Sequence, residues 1–282
     1  MDGKITVACV QTEPRILEKA HNVERCLGLI EVAAGKGAQL VVLPECALTG
    51  YCYSSLEEAM TIAEPVPGPS TDEIAATCHD RNVYAVLGLL EADGDRCYNA
   101  AVLLGPGGLV GKYRKLHLPR LGVDRFVHPG DLAPAVHETE VGRVGIGICY
   151  DIMFAEYARV LALQGADVLV YSANWPQREG SYIAAYPDCV VPTRAIENHV
   201  YCVAVNRVGE ERGTRFFGRS RVADYFGRPL ADGKHGEEDI IYADIEPAQA
   251  RQKRVVVVPG EHEVNVIGDR RPELYGPVCH PA

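Results

Sequence analysis

No apolar run in the sequence approaches the length of a membrane-spanning helix, which needs about 20 consecutive apolar residues. The first residues, Met1-Asp-Gly-Lys, lead directly into a β-branched run and lack the layout of a signal peptide. These absences disfavour a helical membrane protein and a secreted protein. We therefore expect a cytoplasmic protein.

Positive charge is also scarce. The 282 residues include 28 lysines and arginines against 38 aspartates and glutamates, which gives a formal net charge of −10. Nucleic acids and anionic membranes are bound by basic faces, so this balance disfavours both as partners. What is present is 47% hydrophobic and 23% charged residues without repeats, and this composition is typical of an ordinary globular protein.

Metal-binding spacings are missing too, because the sequence contains no Cys-x-x-Cys and no His-x-x-x-His. We therefore predict no metal site and no cofactor. The 10 cysteines do not indicate a disulfide scaffold, since the chain is far larger than disulfide-stapled domains. Reduced thiols are favoured, because most cysteines are scattered through apolar segments: Cys9, Cys26, Cys46, Cys52, Cys78, Cys97, Cys189 and Cys202.

Strand-like and helix-like patterns alternate along the chain. Strand-like runs at residues 5–10 and 40–44 flank residues 17–34, whose apolar positions recur at helical spacing. Three strand-like runs follow in direct succession between residues 83 and 116, so we expect them to be antiparallel. The alternation then resumes, with a helix predicted over residues 182–198.

This alternation predicts one α/β domain over residues 1–282, with two mixed sheets and helices on the outer faces. Ser70-Thr-Asp-Glu73 matches a capping box and predicts a helix start at Ser70. The tail from about residue 255 is expected to be extended. It is too long to be left loose, so we expect it to lie on a partner subunit.

Three residues with reactive side chains follow apolar strands, where mixed α/β folds place their reacting groups: Glu45, Lys115 and Cys149. Cys149 lies at a predicted strand-to-helix turn. Free N–H groups at the start of a helix lower the pKa of a thiol and can stabilise an oxyanion. The alternative is a small buried hydrophobic residue that ends a core strand.

Glu45 and Lys115 each have two interpretations. Partial desolvation after the strand would raise the pKa of Glu45 towards that of a general base, but a capping or salt-bridged glutamate fits this stretch equally well. Lys115 lies in the basic stretch of residues 111–119, which could also be a solvated edge strand. His117 follows closely, and we assign it a structural role.

These stretches resemble the three motifs of the nitrilase, or carbon–nitrogen hydrolase, superfamily. They come in its order of glutamate, lysine and cysteine, as Leu43-Pro-Glu45, Tyr113-Arg-Lys115 and Gly147-Ile-Cys149-Tyr-Asp151. Flanking segments such as Arg194-Ala-Ile-Glu-Asn198 are also similar, so the resemblance covers nearly the whole chain. It implies an α-β-β-α sandwich and a homodimer in which tails cross between subunits.

The resemblance also implies a mechanism. Cys149 would attack an amide-like carbon and form a thioester, Glu45 would transfer the protons, and Lys115 with the Tyr150 backbone N–H would hold the oxyanion. Many members carry a second glutamate between the lysine and the cysteine, where this sequence offers only Asp124. Asp124 is expected to position Lys115 or the substrate; a surface pair with Arg125 is the alternative.

The two residues after Cys149, Tyr-Asp, resemble the amidase branches, whereas nitrile-hydrolysing members tend to carry Trp-Glu there. We therefore expect a small linear amide as substrate, with an N-carbamoyl compound as the alternative. Tyr51, Asn174 and Trp175 are candidate substrate-binding residues, although Trp175 could instead pack in the core. A catalytically silent interaction scaffold is the alternative from a different class, and the intact constellation disfavours it.

Overall fold

Two six-stranded β-sheets form the centre of the computed structural model, which describes residues 3–280. The apolar, β-branched runs form strands because their side chains can be buried on both faces of a sheet. In the described residues the strands are β1 (Ile5–Gln11), β2 (Leu40–Val42), β3 (Tyr84–Asp93), β4 (Arg96–Gly105), β5 (Gly108–Arg114), β6 (Val136–Thr139), β7 (Gly142–Ile148), β8 (Val168–Ala173), β9 (Tyr201–Asn206), β10 (Val208–Glu211), β11 (Thr214–Phe217), β12 (Arg221–Ala223), β13 (Pro229–Asp232), β14 (Asp239–Ile245), β15 (Arg254–Val258) and β16 (His262–Asn265).

The helices form where apolar residues recur every three or four positions. The first helix, for example, buries Val23, Cys26 and Ile30 on one face. The α-helices are α1 (Lys19–Gly35), α2 (Leu56–Met60), α3 (Pro69–Arg81), α4 (Ala155–Leu163), α5 (Val191–Asn198) and α6 (Pro247–Ala250).

Each sheet has three parallel strands at its centre and antiparallel strands at its edges. The first has the order β14-β1-β2-β3-β4-β5, in which β1, β2 and β3 are parallel. The second has the order β13-β12-β9-β8-β7-β6, in which β7, β8 and β9 are parallel. The successive strands β3, β4 and β5 are antiparallel, as predicted.

The sheets pack face to face between two layers of helices. One core cluster joins side chains of both sheets, such as Val42 and Val170, and includes Leu161 of α4 and Ala195 of α5. A second cluster packs α1 and α3 against the outer face of the first sheet, with Ile30 and Ile74 in its interior. The predicted sandwich with two mixed sheets and outer helices is therefore confirmed.

Two helix predictions were wrong in detail. The helix predicted over residues 182–198 is α-helical only from Val191, after a 3-10 turn and a wider turn, because Pro187 and Pro192 lack the N–H that a continuous helix needs. The capping-box prediction misplaced the start of α3. Gly68 is its N-cap, and the Ser70 hydroxyl donates to Glu64 instead, at 3.0 Å.

The tail contains regular structure that the sequence pattern did not indicate. β15 and β16 form an antiparallel hairpin, and much of the remaining tail is exposed. Across residues 3–280, no helix combines the length and the apolarity needed to cross a membrane.

Candidate active site

Glu45 lies at the start of a tight turn, after Leu43 and Pro44 have extended the chain beyond β2. The turn is fastened to β3, since Gly88 N–H donates to the Pro44 carbonyl (3.1 Å) and Leu48 N–H donates to the Gly88 carbonyl (3.2 Å). Gly88 permits this close approach, because a Cβ at that position would lie 2.4 Å from the backbone nitrogen of Cys46. Glu45 is fully buried and held by its backbone.

Lys115 follows β5 and is also buried. Its backbone N–H donates to the Asn99 carbonyl, and its own carbonyl accepts from Gly130, both at 2.8 Å. The ammonium Nζ lies 2.6 Å from Glu45 Oε1 and 2.6 Å from Asp124 Oδ2. Lys115 is therefore a bridge between two carboxylates, and the interpretation as a solvated edge strand was wrong.

Asp124 points into the protein from a 3-10 turn, Gly122–Arg125. Its Oδ2 accepts from the Tyr51 hydroxyl at 2.8 Å as well as from Lys115. Arg125 donates instead to the carbonyls of Gly122 and Tyr53. Asp124 thus belongs to the buried cluster, and the alternative of a surface pair with Arg125 was wrong.

Cys149 lies at the end of β7, where the chain turns into the 3-10 helix Cys149–Met153. Its φ of 48° is in the left-handed region that few residues other than glycine adopt, as is typical of strained functional turns. Asp151 braces the turn, because its carboxylate accepts from the Ile148 N–H (2.8 Å) and the Tyr113 hydroxyl (2.9 Å).

His117 packs beside this turn. Its Nδ1 lies 2.7 Å from Asp151 Oδ1, and its ring stacks on Phe154 at 3.6 Å between centroids. Through Asp151, His117 contacts the turn that carries Cys149.

The charges and the burial of the cluster set its protonation. Burial raises the pKa of Glu45, Lys115 acts to lower it, and Asp124 acts to raise it. Burial acts to lower the pKa of Lys115, but the two carboxylates outweigh burial and raise that pKa well above its ordinary value. Lys115 therefore carries a positive charge at neutral pH.

Burial also raises the pKa of the Cys149 thiol well above its ordinary value, and the charge of Glu45 adds to this effect. Lys115 and a hydrogen bond with the Asn174 backbone act in the opposite direction without reversing it. The expectation of a thiol pKa lowered by the turn was wrong, because desolvation dominates. A thiol that is protonated at rest needs a base in order to react.

A cavity of about 360 Å³ opens at Cys149. Its walls are mainly aromatic and apolar, and the lining residues are Pro119, Arg120, Leu121, Cys149, Tyr150, Trp175, Pro176, Arg178, Tyr182, Ile183 and Tyr186. A second cavity of about 300 Å³ shares Arg120, Leu121 and Arg178 with the first. The two arginines therefore stand between the cavities.

The three predicted substrate-binding residues lie in different places. Trp175 lines the cavity, and its indole Nε1 is buried without a hydrogen-bond partner among residues 3–280. Asn174 is buried beside Cys149, and its side-chain amide is likewise unpartnered within that range. Tyr51 does not line this cavity, and its hydroxyl donates to Asp124 Oδ2 at 2.8 Å, with the Leu121 carbonyl 3.1 Å away.

Sequence reasoning missed Asn99. This residue lies within β4, and its amide Nδ2 donates to Glu45 Oε1 at 2.7 Å and to Asp124 Oδ1 at 2.8 Å. A polar side chain within the apolar run of β4 was the available signal, because a buried amide needs partners. Glu45, Lys115, Asp124 and Asn99 form what we call the carboxylate cluster.

The donor set offers little to a metal ion. In the part of the chain that the structure describes, no group of three or more histidine, cysteine, aspartate or glutamate side chains is arranged to hold one. The carboxylates Glu45 and Asp124 instead share the ammonium of Lys115.

Residues 6–255 match the family model of the carbon–nitrogen hydrolases. The chain belongs to this family. It is therefore an enzyme that hydrolyses carbon–nitrogen bonds, as the sequence motifs predicted.

Curated relatives in the carbon–nitrogen hydrolase family extend over the same length. A nitrilase from Pyrococcus abyssi is 41% identical over 273 residues, covering 96% of this chain and 99% of the relative. The omega-amidase NIT2 of Danio rerio is 33% identical over 283 residues, covering 97% of each chain. The similarity is thus not confined to the three motifs.

Solved structures confirm the fold of the carbon–nitrogen hydrolases. A carbon–nitrogen hydrolase from Helicobacter pylori G27 superimposes with a TM-score of 0.84 over 99% of both chains, at 25% identity. An amidase from Nesterenkonia sp. superimposes with a TM-score of 0.77 over 98% of this chain and 96% of its own, at 24% identity. At that identity the second likeness supports the fold alone.

Proposed function

We propose that the protein hydrolyses a small linear amide through a thioester on Cys149 and releases ammonia. The observation that carries this proposal is that the two oxygens of the Glu45 carboxylate differ in their hydrogen bonding. Oε1 accepts from both Lys115 and Asn99, whereas Oε2 is buried and has no hydrogen-bond partner among residues 3–280. Glu45 also interacts electrostatically with the Cys149 thiol, and a buried, unpaired carboxylate oxygen is suited to accept the proton of such a neighbour.

The first half-reaction forms the acyl-enzyme. The Cys149 thiol gives its proton to Glu45 Oε2 as Sγ bonds to the amide carbon. Lys115 and the Tyr150 backbone N–H donate to the negative oxygen of the tetrahedral intermediate. Glu45 then passes the proton to the nitrogen, the C–N bond breaks, ammonia leaves and the thioester remains.

The second half-reaction hydrolyses the thioester. Water gives one proton to Glu45 as its oxygen bonds to the acyl carbon, and the C–S bond then breaks. Glu45 returns this proton to Sγ, so the product is a carboxylic acid and the enzyme is regenerated. The raised pKa of Glu45 supports its use as both proton acceptor and proton donor.

Two arginines support an anionic substrate. Arg120 and Arg178 line the cavity, and their side chains form no hydrogen bond or ion pair with residues 3–280. Unpaired guanidinium groups beside a largely apolar cavity can bind a carboxylate. A relative named omega-amidase supports the same class. We therefore propose the monoamide of a short dicarboxylic acid, with Trp175 and Asn174 contacting the amide end.

An N-carbamoyl amino acid is the second candidate, because it combines a ureido carbonyl with a carboxylate and fits the same arginines. Its hydrolysis releases carbon dioxide and an amine as well as ammonia. Assays of succinic acid monoamide, butyramide, N-carbamoyl-β-alanine and a matching nitrile, read as ammonia and carbon dioxide, separate these substrates. We expect succinic acid monoamide to be hydrolysed at least tenfold faster than butyramide, since one charged hydrogen bond contributes about 1.5–3 kcal/mol.

The covalent step has its own test. Rapid mixing with the preferred amide, acid quenching and mass spectrometry should find the acyl group on the peptide that contains Cys149. Cys149→Ala should abolish the adduct and the ammonia release, whereas Cys189→Ala, which removes an exposed cysteine, should change neither. Full turnover by Cys149→Ala would refute the proposed mechanism.

We also propose that the protein forms a homodimer in which the tail contacts the partner. Large apolar side chains are exposed on the outer helices and the tail, including Leu163, Ile196, Val257, Leu274 and Val278. Exposed apolar residues of this number are typical of an interaction surface. Sedimentation of the full chain should give the mass of a dimer, and removal of residues after 255 should weaken it.

A further inference from the structure

Asn99 contacts every polar member of the carboxylate cluster. Its amide Nδ2 donates to Glu45 Oε1 (2.7 Å) and to Asp124 Oδ1 (2.8 Å), and its backbone carbonyl accepts from Lys115 (2.8 Å). The residue is 1% exposed and lies within β4, which pairs with a neighbouring strand on each side. These contacts are therefore held by a rigid part of the sheet.

The orientation of the amide follows from its neighbours. Both groups near Nδ2 are carboxylates, which only accept, so the NH₂ end must face them. The opposite end, Oδ1, lies 3.6 Å from the Cys46 thiol, which can donate to it. A rotated amide would place its oxygen against two carboxylates and leave the thiol without an acceptor. The side chain thus has one favourable orientation.

We propose that Asn99 is a positioning residue that reserves Oε2 of Glu45 as the proton-accepting oxygen for Cys149. Lys115 and Asn99 both donate to Oε1, so rotation of the carboxylate would break two hydrogen bonds at once. The inference rests on the proposed role of Glu45 as base. It adds a residue that acts on the reaction only through Glu45 and Asp124.

The charge count explains why a neutral amide suits this position. Two carboxylates share one ammonium, and the nearby charge of Asp124 acts to raise the pKa of Glu45. The Asn99 NH₂ group donates to Glu45 Oε1, so it favours the ionised form of Glu45 without adding a charge. Removal of Asn99 therefore makes Glu45 harder to ionise, and the base is then available only at higher pH.

The test uses alkylation of Cys149 by iodoacetamide, which requires no knowledge of the substrate. The rate is measured across pH by mass spectrometry of the peptide that contains Cys149, for wild type, Asn99→Ala, Asn99→Ser and Glu45→Gln. The acid limb of the pH–rate profile is the range in which the alkylation rate rises with pH. We expect this limb to lie about one pH unit higher in Asn99→Ala, which lowers the rate at a given pH on the limb about tenfold. Asn99→Ser keeps one short donor and should move the limb less.

Asn22→Ala is the matched control. Asn22 is also a buried asparagine whose amide makes three hydrogen bonds, but its partners are backbone groups of Arg15 and Leu48. This variant should lose stability comparably and leave the acid limb in place. Thermal unfolding of each variant verifies the fold, and Asn99→Ser carries the test if Asn99→Ala does not fold.

The outcomes separate the two proposals. An acid limb that is present in wild type, lost in Glu45→Gln and unmoved in the Asn99 variants would overturn the positioning role alone. A wild-type limb that persists in Glu45→Gln would overturn Glu45 as base and with it the proposed function. An equal shift in Asn22→Ala would show that loss of stability, rather than lost positioning, moves the limb.

Discussion

Arg114 and Lys115 are consecutive residues, and each is buried against carboxylates, but their clusters differ in how completely the polar atoms are paired. Arg114 donates to both oxygens of Glu91 at 2.8 Å and also to Asp93 and Asp131. No oxygen of Glu91 is left over. At Lys115, one oxygen of Glu45 accepts twice and the other has no partner within residues 3–280.

We infer from this difference that the Arg114 cluster is structural, whereas the carboxylate cluster is the proposed site of chemistry. A buried carboxylate whose oxygens all accept hydrogen bonds from cations has no free oxygen to take a proton from a neighbouring group. A buried carboxylate with one unpaired oxygen keeps a site for a proton. Substitutions in the Arg114 cluster should therefore affect stability, and substitutions in the carboxylate cluster should affect turnover.

The largest expected effect comes from Glu45→Gln compared with Glu91→Gln. The pKa of Glu45 is raised in the folded state, so its ionisation favours unfolding as the pH rises through that value. Loss of the Glu45 charge in Glu45→Gln should therefore not destabilise the protein at neutral pH. The variant also leaves Lys115 paired with Asp124. Ammonia release should nevertheless fall about 10²–10⁴-fold, since the proposed general base is removed.

Glu91→Gln should give the opposite result. Arg114 loses its two-point carboxylate partner, so the variant should unfold more readily in urea while its turnover per folded molecule stays near that of wild type. Near-normal turnover by Glu45→Gln would remove Glu45 as base. Equal losses of turnover in both variants would remove the distinction between the clusters.

The second prediction compares the replacement of Lys115 with the replacement of its neighbour Arg114. Lys115→Met removes the proposed oxyanion donor, so turnover should fall about 10²–10³-fold. It also removes the group that lowers the pKa of Glu45, so the acid limb of activity should move to higher pH. Arg114→Met should instead cost about 3–5 kcal/mol of stability, because it leaves Glu91 buried with Lys112 as its remaining cation.

Activity assays across pH, normalised to the folded fraction, compare the two variants. Arg114→Lys is the control, since it restores the charge without the two-point contact and should recover part of the stability. An unmoved acid limb in Lys115→Met would contradict the electrostatic coupling between Lys115 and Glu45.

The third prediction concerns the backbone under Glu45. Gly88→Ala would place a Cβ 2.4 Å from Cys46 N and 2.7 Å from Glu45 Cα, so the Glu45 turn must move. A shift of about 1 Å in a reacting group can cost about 10²-fold in rate, and we expect a loss of this order. Gly28→Ala on α1 is the control, since its Cβ meets nothing within 4 Å. Equal turnover in both variants would show that the Glu45 turn tolerates displacement.

Part of this molecule could be predicted from sequence because its signals are local. The alternating apolar runs predicted the layers, and Glu45 and Cys149 each follow an apolar run, so their positions at strand ends could be read from neighbouring residues. Lys115 follows a strand that contains Lys112 and Arg114, and its place was indicated by the motif rather than by an apolar run. The tail hairpin was not predicted although β15 contains four consecutive valines, because both of its strands are largely exposed and so lack the apolar-core context of the other strands.

The rest of the candidate site depends on contacts between distant residues. Asn99 meets Glu45 and Asp124 at separations of 54 and 25 residues along the chain, which no local pattern encodes. The pKa of Cys149 was mispredicted for a related reason. The turn geometry favours a lowered value, but the depth of burial, which sequence does not give, outweighs it.

The smallest expected effect is that of Asp124→Asn. The variant keeps the size of the side chain but removes one of the two carboxylates that pair with Lys115. Since Asp124 raises the pKa of Glu45, its neutralisation should lower that pKa and move the acid limb of activity to lower pH, opposite to the shift in Lys115→Met. Turnover at neutral pH should fall about tenfold, because Lys115 is held by one charged partner and a tenfold rate corresponds to about 1.4 kcal/mol. Measurement of activity across pH for Asp124→Asn and Lys115→Met gives the direction in which the acid limb moves in each variant. If the acid limb moved in the same direction in Asp124→Asn and Lys115→Met, Asp124 would act on Glu45 through packing rather than through its charge. The carboxylate cluster would then be a structural cluster like that of Arg114, despite the unpaired oxygen of Glu45.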